Sequence, residues 1–114
     1  MSKFVTLLVE DDVLQRQILS DALKCQGYEV VECSSAEAAE LIIASTGNEL
    51  KALVTDQNLA GHMTGVELAD YARGENPRLN IIVMSGREVT SLPANTTFLS
   101  KPFLPEQLLE AVNR

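Results

Sequence analysis

A chain of 114 residues, 46% of them apolar and 22% charged, is long enough to bury one hydrophobic core without disulfides or a structural metal. Its formal net charge of −7 argues against sequence-independent binding to nucleic acid or to an anionic membrane, since both need clustered Lys and Arg. No stretch reaches the length of a membrane span, and the first residues lack the basic and apolar regions of a signal peptide. Cys25 and Cys33 lie outside any CxxC spacing and a single His accompanies them, so a zinc set is not expected. They read as reduced thiols of a cytoplasmic protein.

The first apolar run, FVTLLV at 4–9, is followed at once by Glu10, Asp11 and Asp12. Leu14, Ile18, Ala22 and Leu23 then form a stripe at helical spacing, with Gly27 as a stop. Asp12 reads as the N-cap or first-turn acid of that helix, favoured by the helix dipole. YEVVE (28–32) is the second predicted strand, and Ser34 with Glu37 makes an S-x-x-E capping box ahead of AAELIIA. KALVT (51–55) is the third strand and runs into Asp56, and Thr64 with Glu67 makes a second capping box before LADYA. LNIIVM (79–84) leads to Ser85, and TFL (97–99) leads to Lys101. Pro105 stands where a first helical turn begins, ahead of EQLLEAV.

The strands are nearly continuous apolar runs, as parallel strands covered on both faces require. Their alternation with helices predicts one α/β domain over residues 1–114 with a parallel sheet between two helical layers. One unit is deficient. Only twelve residues, GREVTSLPANTT, separate Ser85 from Phe98, and Pro93 interrupts them. Less than two full turns fit before that proline, so the fourth helix is predicted to be short, irregular or missing.

Glu10 and Asp11, Asp56, Ser85 and Lys101 all fall at the carboxyl ends of strands, the edge at which open α/β sheets bind ligands. Two carboxylates about 5 Å apart repel by roughly 3 kcal/mol at an effective dielectric near 20. Gathering three of them calls for compensation, and a hard divalent cation such as Mg²⁺ supplies it through oxygen ligands. Lys101 offers a charge and Ser85 a hydroxyl to an anion at the same place. With the metal bound, Asp56 is a plausible carboxylate nucleophile toward phosphorus.

Glu10-Asp11, Asp56, Ser85 and Lys101-Pro102-Phe103 together resemble the receiver domain of two-component response regulators, and the resemblance spans the chain. It implies a flavodoxin-like (βα)5 three-layer sandwich with strand order 2-1-3-4-5. It also implies that Asp56 accepts a phosphoryl group from a histidine kinase or a histidine phosphotransfer protein. Mg²⁺ would be held by Glu10, Asp11, Asp56 and the backbone carbonyl of Asn58, with Asp11 the more direct ligand. Ser85 would bond the phosphoryl group and move with it, Lys101 would pair with its oxygens, and the Lys101–Pro102 peptide would be cis. Phe98 matches the aromatic switch position three before the lysine and fits a plain core residue equally well. Gly86 would leave the phosphoryl group open to water, and Asn58 and Arg87 stand where the family tunes its lifetime.

Two departures from the family pattern stand out. The loop QNLAGHMTG after Asp56 is one residue longer than usual, with Ala60 where Pro is common. Such loops occur in receivers attached to sensor kinases, which tilts the expectation toward a piece of a hybrid histidine kinase. The short fourth-helix region leaves incomplete the face through which receivers pair, so a weak homodimer stays open. Direct nucleic-acid binding and membrane insertion are not expected.

The competing reading is a Mg²⁺-dependent phosphatase of the haloacid-dehalogenase type, working through an aspartyl phosphate. It wants an acid two residues after the nucleophile, where Asn58 stands. A flavin module on the same fold would want a Ser/Thr/Gly-rich loop after the first strand, where acids stand instead. His62 and Gly65 resemble part of a cobalamin motif whose Asp is replaced by Ala60, and His62 reads as a surface loop residue.

Overall fold

The computed structural model describes residues 5–46, 49–59 and 61–114. Phe4, expected to start the first strand, and Ala60, the departure in the loop, lie outside the described residues. Five strands form: β1 (Val5–Val9), β2 (Glu29–Cys33), β3 (Leu50–Asp56), β4 (Asn80–Ser85) and β5 (Thr96–Ser100). They make one parallel sheet in the order β2-β1-β3-β4-β5, as the flavodoxin-like fold requires. Four α-helices are present among the described residues: α1 (Val13–Cys25), α2 (Ala36–Thr46), α3 (Gly65–Glu75) and α4 (Pro105–Val112). None is long and apolar enough to cross a membrane.

Side chains alternate across a strand, so unbroken apolar runs feed both faces at once. Leu7, Val9, Leu53, Ile81 and Val83 pack under α2 and α3, against Ala39, Ile43, Leu68 and Ala72. Leu8, Val54, Ile82 and Met84 pack on the opposite face, against Leu19 and Leu23 of α1 and Leu108 and Val112 of α4.

The structure corrects the reading of α1. Leu14 and Ile18 are 69% and 52% exposed, and the inward residues are Leu19, Ser20 and Leu23. An i, i+4 spacing fits the 14/18 pair and the 19/23 pair alike, and the two pairs are offset by five residues, about 140° of helix rotation. Asp12 caps this helix, its carboxylate accepting from the Gln15 amide at 2.9 Å, and Gly27 follows with φ 91°. A second correction concerns α2: Ser35, not Ser34, accepts from the N-terminal amide of Ala38, and Glu37 turns elsewhere. The capping box of Thr64 and Glu67 forms as expected, and Pro105 opens α4.

Between β4 and β5 there is no helix at all. Ser91 and Asn95 adopt left-handed φ values of 62° and 59°, and Leu92 packs onto the α2–α3 side of the core. The far end of the segment is held by Arg73 of α3. Its guanidinium donates to the carbonyls of Ala94 (3.1 Å) and Asn95 (3.0 Å), and also to those of Pro77 (3.0 Å) and Leu79 (2.7 Å).

Candidate functional site

Parallel register places the polar strand ends side by side. Val9 pairs with Thr55, Asp56 with Met84, and Ser85 with Ser100. The ladder continues one step past the strands: Glu10 donates its amide to Cys33, Gln57 to Met84, and Lys101 to Ser85. Glu10, Asp56 and Ser85 are therefore buried at the rim of the core, although all three are polar.

Carboxylate oxygens of Glu10, Asp11 and Asp56 lie within 4.8 Å of one another. Lys101 reaches in from beyond β5, with Nζ 2.7 Å from Asp56 Oδ1, 3.4 Å from Glu10 Oε1 and 3.2 Å from Gln15 Oε1. Burial pushes the Glu10 carboxyl above the ordinary range, helped by the nearby Asp56 charge, while the Asp12 amide and Lys101 pull the other way. Burial pulls Lys101 down, but its hydrogen bond and ion pair with Asp56, then Glu10, outweigh that and leave its pKa raised. The Lys101–Pro102 peptide is cis.

Ser85 Oγ accepts the Arg87 amide at 3.1 Å, which leaves its own hydroxyl hydrogen free to donate. Ser85, Arg87, Asn58, Gln57 and Thr64 line one open cleft beside Asp56, with Asn58 exposed. Phe98 stands apart, half-buried on β5 and paired in register with Val83. His62 is exposed on its loop. A Cβ added at Gly86 would meet nothing within 4 Å, so the approach beside Ser85 is open.

Sequence reasoning missed the support behind this cluster. Arg16 donates from Nη1 to the Glu10 carbonyl at 2.7 Å and pairs with Glu32 at 3.6 Å, fixing the turn that carries the acids. Gly65 is needed because a Cβ there would run into the Asp56 carbonyl oxygen and lie 2.9 Å from Gln57 Cα. Neither requirement leaves a local mark in the sequence, since each joins parts of the chain through the fold.

The ligand set is all oxygen, which suits a hard divalent cation and not a soft one. The family model of the response regulator receiver domain matches residues 6–113. The chain belongs to that family. Receiver domains typically bind Mg²⁺ at an acidic pocket, and this receiver carries an acidic cluster of Glu10, Asp11 and Asp56. The chain is 36% identical over 114 residues to the response regulator protein FleR of Pseudomonas aeruginosa, covering 95% of this chain and 24% of FleR. It is 30% identical to nodulation protein W of Bradyrhizobium diazoefficiens, covering 97% of this chain and 50% of that protein. The receiver thus spans half or less of the length of these curated relatives. Among solved structures, a response regulator receiver protein from Sinorhizobium medicae superposes with a TM-score of 0.91 at 26% identity, covering 96% of this chain and 91% of that one. The receiver domain of the hybrid histidine kinase CckA gives 0.84 at 30% identity, covering 96% and 95%.

Proposed function

We propose that this receiver accepts a phosphoryl group on Asp56 from a phosphohistidine of a histidine kinase or phosphotransfer protein and changes conformation in response. The observation that carries the reading is the meeting of Asp56 with two further carboxylates and with Lys101 at 2.7 Å. An Asp56 oxygen attacks phosphorus, the P–N bond to the donor imidazole breaks, and the product is an acyl phosphate. Glu10, Asp11, Asp56 and the Asn58 carbonyl are the residues that would hold Mg²⁺. The ion supplies screening of the carboxylates and of the phosphoryl oxygens. Lys101 is within reach to transfer its ion pair to those oxygens, and the Ser85 hydroxyl donates to them. That new bond draws Ser85 inward and biases the loop conformations, with Phe98 as the second switch residue.

A protein donor is supported by the surface around the site. Val13, Leu14, Ile18 and Leu104 are large apolar side chains left exposed. Ile18 shares a cleft with Lys101, Pro102 and Phe103. An apolar cleft opening beside Lys101 suits a protein partner better than a small phosphate donor. Two free cysteines, one exposed and one half-buried, suit a cytoplasmic setting. The domain modifies only itself in this reading; hydrolysis of external monoesters would want an acid where Asn58 stands.

Incubation with Mg²⁺ and acetyl phosphate, followed by intact mass, is expected to show one added phosphoryl group that Asp56→Asn abolishes. An unmodified chain, or modification that survives Asp56→Asn, sinks the assignment. Mg²⁺ at 100 times its Kd should also stabilise the fold by about 2.7 kcal/mol, reversed by chelator, in thermal unfolding.

A further inference from the structure

The loop after Asp56 is fixed at its base by its own neighbours. Gln57 accepts from the Gly65 amide through its carbonyl at 3.0 Å and from the Val66 amide through its side chain at 2.8 Å. The tip of the loop is fixed from a different element. Glu37, in the first turn of α2, brings Oε2 to 3.2 Å from the His62 amide, and the Met63 amide also bears on the carboxylate. Its own amide, then that of His62, hold the Glu37 carboxyl below the ordinary range. The backbone passes so close over this group that a Cβ at Gly61 would lie 2.7 Å from Glu37 Oε1, and Gly61 has φ +99°. Glu37 thus serves its own helix N-terminus and also accepts from a backbone amide 25 positions further along the chain.

We propose that Glu37 is a positioning residue for the phosphoryl-accepting site, its carboxylate latching the backbone at His62 to α2. The latch keeps the segment that carries Asn58 in one conformation, so metal binding does not have to order it. If the loop samples other conformations once released, the apparent affinity falls by the fraction of time it remains competent. This inference rests on the assignment of Asn58 and Asp56 made above and adds a residue from a third element to it.

The test uses the full chain and Mg²⁺ alone as the probe, with three readouts: the Mg²⁺ Kd by calorimetry, amide exchange at residues 61–63, and the thermal midpoint. Glu37→Ala is expected to weaken Mg²⁺ binding about tenfold and to speed exchange at 61–63 at an almost unchanged midpoint. Glu37→Gln keeps an acceptor oxygen and should recover most of the affinity. Glu40→Ala removes an equal charge from the same helix and should leave the Kd unchanged. Wild-type affinity in Glu37→Ala, or an equal loss in Glu40→Ala, overturns the latch. Failure of the unaltered chain to bind Mg²⁺ overturns the metal-site assignment itself, and the latch with it, before any substitution is made.

Discussion

Two connections leave the carboxyl edge of the sheet on either side of the acidic cluster, and they are held in opposite ways. The connection after β3 is bound at Gln57, which accepts from the Gly65 and Val66 amides, and at His62, whose amide donates to Glu37. The 86–95 segment has no helix; the Arg87 amide ties its start to Ser85 Oγ with open space at Gly86, and Arg73 anchors its far end and Leu92 its middle. Yet Asp56 and Ser85 sit at adjacent strand ends as though both units were complete. The difference teaches that sheet register, not the flanking helices, places the polar groups. Register is pinned by burial of alternating side chains on both faces, and a lost helix on one flank does not shift it.

Substitutions can break or sharpen this contrast. The largest effect is expected from Gly65→Ala, where the added Cβ meets the backbone of Asp56 and Gln57: a loss of about 3 kcal/mol in chemical denaturation, together with slower phosphoryl uptake. Arg73→Ala removes a charged donor from four carbonyls and should cost about 2 kcal/mol. Its phosphoryl uptake from acetyl phosphate should nevertheless stay near that of the unaltered chain. Leu92→Ala, at a half-buried site, is expected to lose about 1 kcal/mol with the same indifference in uptake. Gly86→Ala should change stability by no more than about 0.5 kcal/mol, since nothing stands near the new methyl group. Loss of uptake in Arg73→Ala or Leu92→Ala at a temperature where the chain is folded would refute the claim that the far anchor is independent of the site.

Much of this was legible in the chain itself. Glu10, Asp11, Asp56, Ser85 and Lys101 each follow an apolar run, and that position at the end of a strand is a local property. The cap at Thr64, Pro105 at the start of α4 and the failure of a helix around Pro93 were equally local. Residues whose work is done at a distance were not visible. Arg16 behind Glu10 and Arg73 under Ala94 look like ordinary surface charges on helices, and Glu37 looks like the acid of a local capping box.

The sequence by itself determined the alternation of strands and helices and the polar residues standing at the strand ends, because both follow from the order of apolar, polar and turn-forming residues along short stretches. Only the tertiary structure decided that Leu19 joins Leu23 of α1 against the sheet while Leu14 and Ile18 face outward, that Ser35 takes the cap expected of Ser34, and that Glu37 bonds a loop far along the chain. A periodic pattern sets the spacing of a helical face but not which of two neighbouring faces turns inward. That choice, like every partner remote in sequence, is made by packing against the sheet.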